Sequence, residues 1–228
     1  MSGDARASGW DLPARVCHWG FATSVTGSLW IGFRSDPRGD LFKYHMPLGA
    51  LALWFIAARV ALGFFGGPLS RWRAFAHPPR TILRYLADVA RWRSQEPPGV
   101  NPGTALFAPA IHLGVIMLFV TGFFAEWSET WHGRIAWMAV ALIACHLAGL
   151  FLHAARHRAP TFLAMIHGRR HGERAAGSRP PMLRQAGTAL LAASLLLAWL
   201  AFRGFDAETS VLRLPGLPEI EFRLIQRG

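Results

Sequence analysis

Four histidines, His18, His45, His132 and His146, are the residues whose type and placement point to chemistry. Neutral imidazole is a common metal ligand, and one on each side of a haem iron fills its axial positions. A filled coordination shell disfavours oxygen chemistry and suits electron transfer. His132 and His146 share one apolar run, Trp131 to His153, long enough to cross a bilayer. Fourteen residues separate them. At about 100° per residue that is about 40° short of four turns, so both rings leave nearly the same face, about 21 Å apart along the axis. Ionisable side chains inside a span are costly, which marks these positions as functional.

The elements that must position them are transmembrane helices. The chain has 228 residues, 52% of them hydrophobic, with ten Trp and sixteen Phe. That composition suits a small polytopic membrane protein. The expected fold is all-α and integral to the membrane: a four-helix transmembrane haem-binding bundle plus a fifth transmembrane helix. Apolar runs place the spans at 16–33, 46–65, 105–125, 131–153 and 186–203. The first run lacks a small-residue cleavage site and reads as a retained span. Residues 1–9 read as a polar cytoplasmic tail, 10–171 as the four-helix domain, 172–185 as a basic cytoplasmic linker and 204–228 as a periplasmic tail. That tail is either a small ordered flap or disordered. Within the long 66–104 connection, Ile82, Leu86, Val89 and Trp92 recur at helical spacing among arginines, as in a helix lying on a membrane surface.

The net charge of +11 lies in loops, as topology-setting arginines do, so nucleic acid is not an expected partner. Fifteen Arg residues fall in the N-terminal segment and the 66–104 and 154–185 loops; the two opposite loops hold Arg34, Arg38, Lys43 and Arg134. The positive-inside rule then places the N-terminus in the cytoplasm and, after five spans, the C-terminus in the periplasm.

This topology sets the pairing. His18 with His146 lies at the inner depth and His45 with His132 at the outer depth, so two haems, each held from both sides, are expected in the bundle. Arg59, fourteen residues after His45, shares its face at the inner level. It is expected either to meet a haem propionate or to snorkel to the interface. His112 reads as structural, with a quinone site or a hydrogen bond as its other roles. His153 competes with His146, being seven residues further on and about 20° off in angle. Cys17 and Cys145 belong to no C-x-x-C-H motif and read as buried free thiols. The acidic loop with Glu126 and Glu129 reads as solvated.

Taken together, these motifs resemble the bacterial cytochrome b561 family, in the branch of nickel–iron hydrogenase b-type cytochromes. WDLPARVCHW resembles the opening motif, whose ligand is carried over to His18. YHMPLG resembles the second-span motif, with His45. WHGRIAWMAVALIACHLAGL matches the fourth-span pair, His132 and His146, and HRAPTFLAMIHGRR resembles the ending of the domain, with His157 in place. The family often has a histidine before Asn-Pro at the third span; here Val100 stands there. The resemblance covers roughly residues 9–171. It implies two b-type haems and electron carriage in the bacterial inner membrane. The expected partners are the lipid bilayer, a quinone or quinol, and a redox protein such as a c-type cytochrome, a hydrogenase or another dehydrogenase. A homodimer is left open.

Two other readings compete. His153 with His157, and His167 with His171, fit H-x-x-x-H, as in a non-haem di-iron membrane oxidase. No H-x-x-H-H box accompanies them, and nearby arginines oppose a second cation. A haem-binding sensor or assembly protein is the other alternative.

Overall fold

The structure, a computed structural model, describes residues 9–36, 39–93, 99–123, 129–158, 163–168, 181–206, 209, 211–216 and 218–221. Helix α1 spans Leu12–Arg34. A 3-10 turn, Phe42–Tyr44, leads into α2, His45–Phe65. Two helices follow in the long connection, α3 at Trp72–Phe75 and α4 at Pro79–Ala90. Then come α5, Pro102–Phe123, and α6, Glu129–His157. The short α7, Ala164–His167, precedes α8, Pro181–Gly204.

Among the described residues, four helices are long and apolar enough to cross a membrane: those over Phe42–Phe65, Pro102–Phe123, Thr130–His157 and Pro181–Gly204. Helix α1 is long enough at 23 residues but is not among the four. Its sequence explains why: Arg15, Thr23, Ser24, Thr26 and Ser28 dilute the apolar residues. It packs along α2 on one side and α8 on another. A less apolar helix thus has two more apolar neighbours. The exposed Thr23 hydroxyl donates within α1, to the Trp19 carbonyl at 2.8 Å.

Helix α1 begins a turn earlier than the apolar run at 16–33 suggests. Asp11 is the N-cap, its side chain accepting from the Ala14 N–H, and Pro13 sits in the first turn where its missing N–H has no intrahelical partner. Helix α4 confirms the amphipathic segment and stops before Arg93: Arg91 caps it and Trp92 follows at φ 56°. Helix α5 is capped by Asn101, whose side-chain oxygen accepts from the Gly103 N–H at 2.7 Å while its amide donates to the Tyr85 hydroxyl. Just before α5, His77 reaches in from the loop, its Nε2 donating to the Val100 carbonyl at 3.0 Å.

The central apolar core consists of Val25, Ala52, Ile56 and Val115, with Phe21, Leu29, Leu53 and Ile143 against it. Val25 lies seven residues after His18, and Ala52 seven after His45, so this cluster fills the bundle between the two histidine levels. Helix α8 is fastened to α2 by the Trp54 indole, which donates to Ser194 Oγ at 2.9 Å. Beyond α8 the C-terminal segment forms a three-stranded antiparallel sheet, order β1-β2-β3: Phe205–Asp206, Val211–Leu212 and Ile220–Glu221. The ordered-flap reading of the tail therefore holds for the described residues. Leu212 and Ala201 pack there with Met46, Phe119 and Phe123, so the flap covers the end of α2 and α5 beside His45. The linker residues 172–180 and the loop residue Glu126 lie outside the described residues, and Glu129 begins α6.

Candidate cofactor site

His45 opens α2 directly after the 3-10 turn, and Pro47 is accommodated in the first helical turn. The His45 imidazole stacks on Phe42, with ring centroids 5.1 Å apart. Its Nδ1 lies 2.9 Å from the Ser28 carbonyl oxygen of α1. A carbonyl only accepts, so Nδ1 carries the proton and Nε2 keeps its lone pair. Ser28 Oγ donates in return to the His45 carbonyl at 3.0 Å. One residue of α1 therefore fixes both the backbone and the ring of His45.

His132 is held from α5. Its Nδ1 lies 3.2 Å from Thr121 Oγ1, and that hydroxyl donates to the Met117 carbonyl at 2.7 Å. The hydroxyl proton is thus committed to the helix, and the imidazole donates through Nδ1. Again Nε2 is the nitrogen left for a ligand. A neighbour that orients one ring nitrogen and leaves the other for a metal is the usual support of a histidine ligand.

The His45 and His132 ring centroids are 6.1 Å apart. A metal–imidazole bond of about 2 Å on each side, plus the distance from each nitrogen to its ring centre, requires about 6 Å. The pair therefore fits an iron held between them. Glycines make the room: a Cβ at Gly32 would stand 3.0 Å from His45 Cε1, and one at Gly122 would stand 3.2 Å from His132 Cε1.

About 21 Å along α6 lies the second level. His18 lies near enough to His146 and to His112 of α5 for their charges to act on it. His112 is a neighbour that spacing within one helix does not reveal. His112 Nδ1 donates to the Ala108 carbonyl of its own helix at 2.6 Å, and its ring packs on Phe21 at 4.7 Å. His18 packs edge-on against Trp19 at 5.3 Å.

Three residues of the opening motif anchor α1 at this level, and none is a ligand. Asp11 accepts from the Ala14 N–H at 2.8 Å, from the Gly67 N–H at 2.9 Å and from Ser70 Oγ at 3.0 Å. Arg15 Nη1 donates to the Ile166 carbonyl at 2.6 Å, and the Trp19 indole to the Met165 carbonyl at 3.0 Å. Spaced four residues apart, these side chains share a stripe of α1. They tie it to the loop after α2 and to α7.

Arg59 donates to the Ser70 carbonyl at 2.9 Å and lies over Phe75 at 4.7 Å and Trp72 at 5.6 Å. The guanidinium therefore reaches the loop that follows α2. It remains within electrostatic reach of Cys17 and Asp11. Cys17 is buried, whereas Cys145 is exposed on α6, so only the first of the two thiols matches the expectation of burial. Cys145 fills a helix face turned to the surroundings because its neighbour His146 takes the inward one.

Among the described residues no group of three or more His, Cys, Asp or Glu side chains gathers to hold a metal ion. His153, which competed with His146, is buried with its ring 4.4 Å from that of His157. His167 closes α7, and His171 lies outside the described residues.

The sequence pattern of the family described as prokaryotic cytochrome b561 matches residues 9–168. That stretch contains all four histidines of the two levels and ends at Gly168, before α8. No curated protein and no solved structure matches the chain.

Proposed function

The chain belongs to the prokaryotic cytochrome b561 family, and hence to the membrane b-type cytochromes of electron transfer; from that premise we propose that it is a di-haem carrier. It passes electrons across the bacterial inner membrane between the quinone pool and a soluble or membrane-attached redox protein. His45 and His132 hold one haem, and His18 and His146 the other. The supporting observation is the opposed His45–His132 pair, with 6.1 Å between ring centres and both Nδ1 atoms engaged elsewhere.

Bound haem supplies reversible one-electron chemistry. The chain supplies the rest. Two imidazoles at each level would hold the haem iron, and such a site would suit electron carriage rather than oxygen activation. Val25, Ala52, Ile56 and Val115 keep the space between the levels apolar and dry. His146 and His132 stand on one rigid helix, which fixes the spacing at about 21 Å. In the proposed topology α1 is the fifth crossing helix, the N-terminus is cytoplasmic, and the flap stands at the periplasmic side over the His45–His132 level. The quinone and the redox partner follow from family resemblance and the hydrogenase-type motifs.

The test is a pyridine haemochrome assay with protein quantification on purified full-length chain. Two b haems per chain is the expected result. A value of one removes one of the pairings, and iron without porphyrin rejects the reading.

A further inference from the structure

We propose that Asp11 is a positioning residue for the His18 level: its carboxylate fixes where α1 begins and how it is turned, and so where His18 points. This rests on the di-haem reading above and concerns only the level held by His18 and His146. Asp11 is buried, with three donors converging on its two oxygens. Oδ1 takes the Ala14 N–H and so closes the first turn of α1. Oδ2 takes Gly67 and Ser70 from the loop after α2. The same carboxylate thus sets both the rotation of α1 and its height against α2. His18 lies seven residues on, close to two turns, so it projects from nearly the same face as Asp11. Gly67 has no side chain because Asp11 occupies the place: a Cβ there would meet Oδ2 at 2.5 Å. Ser70 extends the arrangement, since its carbonyl holds Arg59 while its hydroxyl holds Asp11. The charge of Arg59 and the register of His18 are therefore set by one loop.

The test compares full-length wild type with Asp11→Ala, Asp11→Asn and Ser70→Ala, using His18→Ala and His45→Ala as references. The readouts are haem stoichiometry, the low-spin electron paramagnetic resonance spectrum and a redox titration. Asp11→Ala is expected to shift the signal and midpoint of the component that His18→Ala removes. Haem retention at that level should weaken by about ten-fold, as loss of a ligand's outer support does. The component lost in His45→Ala should be unchanged. Asp11→Asn keeps one acceptor oxygen and should restore part of the effect. If Asp11→Ala fails to fold, Ser70→Ala carries the same prediction in weaker form. A His18-dependent haem that ignores both substitutions overturns this inference alone, as does equal disturbance of both components. A haem content indifferent to His18→Ala overturns the parent reading, and this inference with it.

Discussion

The imidazoles of His45 and His132 face each other across the bundle at 6.1 Å, each with Nδ1 bound to a neighbouring helix. That leaves Nε2 of each ring as the nitrogen that would ligate a shared iron. Replacement of either residue by Ala should therefore remove the same haem, leaving one b haem per chain. His18→Ala and His146→Ala should remove the other. Haemochrome stoichiometry on the four variants, with pairwise double variants, checks the pairing. A double variant of one level should lose no more haem than either single.

Thr121→Val tests the support rather than the ligand. The substitution preserves shape and removes the hydroxyl that accepts from His132 Nδ1. Haem retention at the His45–His132 level should fall by roughly ten-fold, with a changed low-spin spectrum. The other level should not respond. Competition with apomyoglobin would measure the loss of haem from each level.

Gly32 and Gly122 test the room beside the rings. An added Cβ stands at 3.0 Å and 3.2 Å from the two imidazoles, tighter than ordinary contact. Alanine at either position should rotate its ring and alter the spectrum. Valine should prevent haem from binding at that level.

Much of this site can be read from the chain alone, and the reason is geometric. Two histidines on one helix have a fixed angular and axial relation, so His132 and His146 define both levels without tertiary information. His18 and His45 then follow from the direction in which each span runs. The span limits agree to within a turn or so because apolar runs and helices coincide in a membrane. Asp11 is different. Its partners Gly67 and Ser70 lie 56 and 59 residues away, and no periodicity links them. The D-x-P sequence signals a helix start but not what else the carboxylate holds. His112 escaped for the same reason, since its neighbour His18 comes from another helix. Arg59 has the spacing of a haem-facing residue, yet a long side chain can reach the loop beyond its span, and here it does.

Asn101 offers a test outside the spans. It caps α5 and donates to Tyr85, whose burial pushes the phenol above its ordinary value, the Asn101 donor opposing that shift. Phenol ionisation is thus resisted in the folded protein. The raised value gives a contribution to stability present below about pH 10 and lost as pH rises through the folded value. Asn101→Ala should cost about 1 kcal/mol as a lost cap. Thermal melts between neutral and strongly alkaline pH should show wild type losing stability above about pH 10, and Tyr85→Phe should flatten that loss. The haem spectrum is expected to be unchanged in Tyr85→Phe.

Ser194→Ala addresses α8. It removes the acceptor for the Trp54 indole, an interhelical bond worth about 0.6 kcal/mol in a membrane. A small drop in melting temperature with full haem content is expected.

The position of α8 also bears on biosynthesis. Helix α1 leaves the ribosome well before the helix that flanks it, which begins at Pro181, 147 residues after Arg34 (181 minus 34). Until those residues have been made, α1 has α2 for company but lacks its second neighbour. A nascent chain stalled before Pro181 therefore leaves α1 with one side uncovered.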